Sequence, residues 1–271
     1  MADATHLRSV AEQVAPMDSI ELLGVLWEQD GVHTNVNMVT THFTRAKQVT
    51  FQAEFRLYDR GAKEPFCHFV TPEFSYGQNM RVLMKEALAL VGREEAQGLY
   101  FVRLWPTAHP ELARGLRSLE PWCDYQSDDG KVYVTIPSAF SRGSARYPSN
   151  KHLQYFPGAV WNERFVTKVL ILNSHDRPVP GSLRLFNTAG KYVESREFVI
   201  NGKDYIFETL DEAFMGTDRS HLAPSGIGSL LINLRYRLPV FIAIENAQTH
   251  VMTCLDHTMP FLTYKEPVMV N

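Results

Sequence analysis

Cysteine is scarce in this chain: Cys67, Cys123 and Cys254 are the only three in 271 residues, and no CxxC occurs. An odd number at wide spacing argues against a disulfide framework and fits a reducing compartment. Long apolar runs are missing as well. No stretch approaches the roughly 18 uncharged apolar residues of a membrane span. The N-terminus has an early acid, Asp3, and no apolar run behind it, which is not the pattern of a secretory signal. Positive charge is not in excess: the net charge is −3, so no bulk field attracts nucleic acid or an anionic membrane. These gaps lead us to expect a cytoplasmic protein with neither a membrane nor a nucleic-acid partner. Nucleophile motifs are absent too. Pro224-Ser225-Gly226-Ile227-Gly228 is not GxSxG, and no helical pattern follows its glycines to form a phosphate loop.

What is present is repetition. Arg56-Leu57-Tyr58-Asp59 returns as Arg184-Leu185-Phe186-Asn187, displaced by 128. Leu83 to Leu88 returns as Thr209 to Phe214, displaced by 126, and Gly98 to Trp105 as Gly228 to Arg235, displaced by 130. Three anchors in one order, with small changes of offset, read as one unit copied and fused. Hydrophobic content of 45% is enough for a real core in each copy.

Within the copies the patterning is that of strands. Val49, Phe51, Ala53, Phe55 and Leu57 alternate with Thr50, Gln52, Glu54, Arg56 and Tyr58, which predicts a strand with one dry and one wet face. Ile20–Trp27 reads as a buried strand, and Asp128-Asp129-Gly130 as a hairpin turn. Short helices are expected over residues 5–15, over Met80–Leu88 and from Thr107 to Glu111. Turn signals recur at roughly ten-residue spacing, and the long helices of a parallel α/β sheet are missing. The expected fold is all-β: two tandem, duplicated antiparallel β-sandwich domains with a few short helices. The boundaries are an N-terminal helix or arm over 1–16, a first sandwich over 17–136, a linker over 137–160, a second sandwich over 161–264 and a tail over 265–271.

The second copy resembles the sensory rhodopsin transducer family. The residues that carry the likeness are Val169-Leu170-Ile171-Leu172-Asn173, Gly181-Ser182-Leu183-Arg184-Leu185-Phe186, Phe207 with Leu210-Asp211-Glu212, and Pro239-Val240-Phe241-Ile242-Ala243, across residues 165–257. The resemblance implies a small β-sandwich and a cytoplasmic, oligomeric binding role without catalysis. It carries over no functional residue.

Candidate sites follow from residue types. His42 with Arg45, and His175 with Arg177, sit in equivalent loops at one end of each copy, where a His beside an Arg suits an anion. His250 and His257 bracket the densest run of metal-ligand types. On one strand, however, His250 and Cys254 stand about 13 Å apart, too far for one zinc ion, so no metal and no cofactor is expected. Asp124–Gly130 resembles a calcium loop with its glycine one position late, and an acidic hairpin explains it.

The function expected is non-catalytic: a tandem sandwich acting in self-assembly, as a homo-oligomer, or as a scaffold for a protein partner or ligand. Two alternatives stand beside it. One is an enzyme or small-molecule binder with a His-containing site between the sandwiches, for which His152, His221, His250 and His257 are the first suspects. The other is a carbohydrate-binding module presenting Trp122, Tyr125 and Trp161.

Overall fold

The alternation over residues 49–58 builds the central strand of the first sheet in a computed structural model of the chain. The structure describes residues 7–17, 19, 21–39, 49–108, 121–137, 139–140, 152–222, 224–236 and 238–257, with backbone alone for Val39, Pro137, Ala139, Phe140, His152 and residues 253–257. His42 and Arg45 therefore lie outside the described residues, as does most of the helix expected from Thr107.

Four sheets form among the described residues, and their pairings are antiparallel. The first is ordered β1 (Arg8–Ser9), β5 (Cys67–Val70), β4 (Thr50–Asp59), β8 (Ala96–Pro106), β2 (Glu21–Glu28), β11 (Ala139–Phe140), with β6 (Phe74–Ser75) also on β4. The second runs β10 (Tyr133–Pro137), β9 (Trp122–Ser127), β3 (Val32–Val39), β7 (Asn79–Leu83). The third runs β12 (His152–Val160), β17 (Ile227–Leu234), β14 (Val179–Asn187), β15 (Tyr192–Ile200). The fourth runs β16 (Asp204–Thr209), β13 (Phe165–Asn173), β18 (Val240–Asn246), β19 (Met252–His257). The protein is all-β, with two short helices among the described residues, α1 (Met84–Ala89) and α2 (Leu210–Ala213), and a 3-10 turn at Arg219–Leu222. Among the described residues no helix is long and apolar enough to cross a membrane.

The two halves share one strand order. β5-β4-β8-β2 corresponds to β15-β14-β17-β12, and β10-β9-β3-β7 to β19-β18-β13-β16, with a short helix after β7 and after β16. The repeated residues meet one another across the sheet: Asp59 pairs with Gly98, and Asn187 with Gly228. Both glycines are there for space. A Cβ on Gly98 would stand 1.8 Å from the Tyr58 carbonyl oxygen, and one on Gly228 would stand 2.4 Å from that of Phe186. At such distances a methyl cannot fit without parting the strands.

Each pair of sheets closes on its own core. Phe55 stacks on Phe69 with ring centroids 5.0 Å apart inside the first, where Val36, Met80, Val82 and Cys123 of the second sheet meet them. Val169, Ile171, Leu183, Leu185, Leu230 and Ile232 fill the other. Burying each such side chain contributes about 1.5–3 kcal/mol. The sheet of β13 and β18 is buried on both faces. Val169 and Ile171 point into its own sandwich, while Leu170, Leu172, Phe241 and Ala243 join the core of the first. The fourth sheet also touches the second at its edge, where the Met252 amide donates to the Lys131 carbonyl at 3.1 Å.

Several local expectations are corrected. Residues 7–15 are not helical. β1 adds to the edge of β5, the Val10 amide donates to the His68 carbonyl at 2.9 Å, and the Val14 and Ala15 amides donate to the Glu54 carboxylate at 2.7 and 2.5 Å. A single amphipathic stretch of this length is marginal as a helix, and a sheet edge with a buried acceptor satisfies the same amides. Helix α1 starts only at Met84, because Asn79–Leu83 pairs with β3 as strand β7. The expected linker ends earlier: Ala139–Phe140 pairs with β2, and His152–Val160 forms an integral strand against β17. The supposed wet face of β4 is not wet, since Glu54 and Tyr58 are buried.

Candidate functional site at the junction of the sandwiches

That covered face carries charge. Strand register lines up Val70, Glu54, Arg103 and Glu21 across four strands, and His68, Arg56, Phe101 and Leu23 in the next row of the same face. One oxygen of the Glu21 carboxylate accepts from Arg103 Nε at 3.1 Å and Nη2 at 3.0 Å, and also from Arg56 Nη2. Glu54 Oε1 lies 3.0 Å from His68 Nε2. Arg103 is only 6% exposed, and its Nη1 has no partner among the described residues. Such a layer is costly to desolvate and holds only while each charge keeps its counter-charge.

The N-terminal segment covers one end of this face, where Ala15 packs with Val70 and Trp105. The second sandwich covers the other. Lys203, at the turn between β15 and β16, has φ +53. Its ammonium lies 4.3 Å from the Phe101 ring centroid and 5.3 Å from that of Tyr58, and it donates to the Ser174 carbonyl at 2.8 Å. Arg60 answers from the first sandwich, bonding Asp204 at 2.7 Å and the Tyr205 carbonyl at 2.8 Å while lying 4.4 Å over the Tyr205 ring. Burial pushes the Tyr205 phenol up to about 12. Trp27 meets Phe207 edge-on at 5.7 Å.

Beside Lys203 the loop after β13 is organised by Asn173. Its buried side-chain amide donates to the carbonyls of Arg177, Ile200 and Asn201, and its Oδ1 accepts from the His175 amide at 3.0 Å. A polar side chain that closes a loop onto a neighbouring strand end fixes what the loop presents. Here it presents His175 and Arg177 to Tyr236. The His175 ring lies 5.5 Å from the Tyr236 ring, the Arg177 guanidinium 4.5 Å over it, and the Arg235 guanidinium 5.9 Å from it. Neither guanidinium meets a carboxylate among the described residues. Their carbons are at most about 10 Å apart, about one Debye length, so the two like charges repel one another. Burial lowers the His175 pKa, and the Arg177 and Lys203 charges lower it further against an opposing Asp176. Asp176 itself is turned toward Lys203, at 3.4 Å. The arrangement can attract and orient an anion.

Of the sequence-predicted residues, His175 and Arg177 come together. His250 does not join them: at φ +58 in the turn after β18, it lies 2.9 Å from Glu245, whose other oxygen is 3.1 Å from Lys168. His257 pairs with Phe241 at the edge of the fourth sheet, and His152 with Leu234 in the third. His221 is exposed in the 3-10 turn. Tyr125 and Trp161, expected on the surface, are buried, hydrogen-bonding Val25 and Asp211, and Trp122 alone of the three is exposed. The Asp124–Gly130 acids serve the hairpin: Asp129 accepts from the Ser127 hydroxyl and the Lys131 amide. The sequence reading missed Glu21, Glu54, Arg56 and Arg103. Only Arg103 carries a signal, as the one charge in β8, whereas Glu54 and Arg56 fall on the polar side of an alternating strand and Glu21 begins β2.

No protein-family model matches the chain, and no curated protein matches it.

A second titratable cluster lies on the first sandwich. Glu28 is buried, 2.9 Å from His33 Nδ1 and 2.6 Å from the Thr34 amide, and His33 Nε2 lies 3.2 Å from Asp128. Burial raises the Glu28 pKa above 4.5, and the hydrogen bond to Glu28 raises that of His33 above 6.5. Both groups hold protons more tightly folded than unfolded. The stability they contribute is present in acid and is lost as pH rises through the folded values. Urea unfolding at pH 6 and pH 8 checks this. Over that interval the wild type should lose more stability, or gain less, than Glu28→Gln, because the lowered His175 pKa acts in the opposite sense in both proteins. An equal slope in both proteins would show that the pair does not bind the proton.

Proposed function

We propose that this protein is a non-catalytic binding scaffold: two sandwiches descended from one copied half, carrying a ligand or partner at the junction end of the second. The observation that supports this reading is the pair of guanidinium groups about one half-buried tyrosine, Arg177 and Arg235 about Tyr236, with no carboxylate paired to either among the described residues. A fold built for stability alone gains little there. Two exposed cation–π contacts contribute about 0.5–1 kcal/mol each, and like-charge repulsion offsets part of it. Uncompensated local arrangements of this kind are where function is kept at some expense of stability. The family resemblance of the second half points the same way, toward a cytoplasmic, self-associating binding protein.

Chemical denaturation of the Arg177→Ala/Arg235→Ala double variant tests the reading. Its stability should match the wild type within about 0.5 kcal/mol or exceed it. A loss above about 2 kcal/mol would make the two arginines structural members of the loop and remove the reason to place a binding site there.

A further inference from the structure

Resting on that reading, we propose that the junction site takes a doubly charged oxyanion, bridged between the guanidinium groups of Arg177 and Arg235 beside Tyr236. Both arginines are exposed, come from separate segments, and reach the same ring from 4.5 and 5.9 Å. The guanidinium is a planar fork of donors that matches carboxylate and phosphate oxygens two at a time, and two forks on one anion balance two negative charges. A single negative charge would leave one arginine uncompensated.

The floor of the site is fixed before any ligand arrives. Asn173 ties the Arg177 carbonyl and the His175 amide to the end of β15, so the loop that carries Arg177 does not have to be ordered on binding. The Arg235 amide donates to the Pro180 carbonyl at 3.2 Å, which holds the end of β17 alongside β14. Lys203 adds a third cation behind the loop, but its own hydrogen bond to Ser174 and its nearness to Asp176 turn it inward. Asp176 lies 3.4 Å from Lys203 and forms no ion pair with either fork. The ring of Tyr236 gives the Arg177 guanidinium, 4.5 Å from its centroid, a surface to lie on, which limits the rotamers it loses on closing on an anion.

The shared chemistry could come from a phosphate monoester or from a dicarboxylate, and the test separates these sources. Thermal unfolding of the full chain is followed in inorganic phosphate, sulfate and malonate, against chloride at matched ionic strength, with isothermal titration for affinity. At least one dianion should raise the melting temperature saturably while chloride does not. The Arg177→Ala/Arg235→Ala variant should bind it about tenfold or more weakly, as expected for losing charge-assisted hydrogen bonds. Phosphate and sulfate acting without malonate would identify a tetrahedral anion, and malonate acting alone a dicarboxylate. Arg177→Lys/Arg235→Lys gives a second check, because it keeps the charge, loses the fork and should also bind more weakly. A chloride effect of equal size, no saturable effect from any dianion, or unchanged affinity in both variants overturns the proposal. If the dianions fail while the double alanine variant stays fully stable, only the ligand class is lost. If that variant collapses, the binding-scaffold reading is lost as well.

Discussion

Replacing Gly98 with alanine should destabilise the protein by at least about 3 kcal/mol, near the upper end of what single substitutions do. The added methyl would stand 1.8 Å from the Tyr58 carbonyl oxygen, a backbone atom of the paired strand that no side-chain rotation can move aside. Gly228→Ala should cost nearly as much, for the same reason at the corresponding place: the contact is Phe186 oxygen at 2.4 Å. Gly158→Ala is the control, because its methyl meets only Phe156 ring carbons at 3.8 Å or beyond. It should stay within about 0.5 kcal/mol of the wild type. Urea melts of the three variants decide the matter. If Gly98→Ala and Gly228→Ala unfolded like Gly158→Ala, the registers that pair Asp59 with Gly98 and Asn187 with Gly228 would be wrong. The correspondence of the two halves would go with them.

Glu21→Ala should cost about 3–5 kcal/mol, because it strands the buried Arg103 and the half-buried Arg56. Arg56 and Arg103 both rest on one oxygen of this carboxylate, and Arg103 Nη1 already lacks a partner among the described residues. Replacing Glu21, Arg56 and Arg103 together by methionine should recover most of that loss, since a hydrophobic layer of similar volume needs no counter-charge. Equilibrium denaturation of the single and triple variants gives both numbers. A single variant within 1 kcal/mol of the wild type would mean that water reaches the layer and the junction is not closed over it.

How much of this was legible can be judged residue by residue. The alternation of Phe51, Ala53, Phe55 and Leu57 identified a strand and its inner face, and the echo of Arg56–Asp59 in Arg184–Asn187 placed β4 and β14 at matching positions in their sheets. The same alternation could not say what lies against the other face. A period of two assigns residues to sides of a sheet, but a second sandwich packed on the polar side leaves no mark on that period. On that period alone Glu54 and Arg56 read as a solvated row. The Met80–Leu88 stripe shows a related limit. Met80 and Val82 satisfy a strand, Met84, Ala87 and Leu88 a helix, and both fit one apolar pattern when the change of structure falls between them. The site was half readable. His175 and Arg177 are neighbours in sequence and share a loop with Asn173, so their types alone suggested an anion. Tyr236, Arg235 and Lys203 reach them only through the sheet pairing of β14 with β17 and the turn into β16, which no local pattern announces.

The central claim is that the two sandwiches are one cooperative body, the fourth sheet buried on both sides. Differential scanning calorimetry of the full chain tests it most directly. A single transition with equal calorimetric and van't Hoff enthalpies is predicted, because Leu170, Leu172, Phe241 and Ala243 cannot leave the first core without exposing the sheet that closes the second. Two separated transitions, one half melting while the other persists, would contradict it.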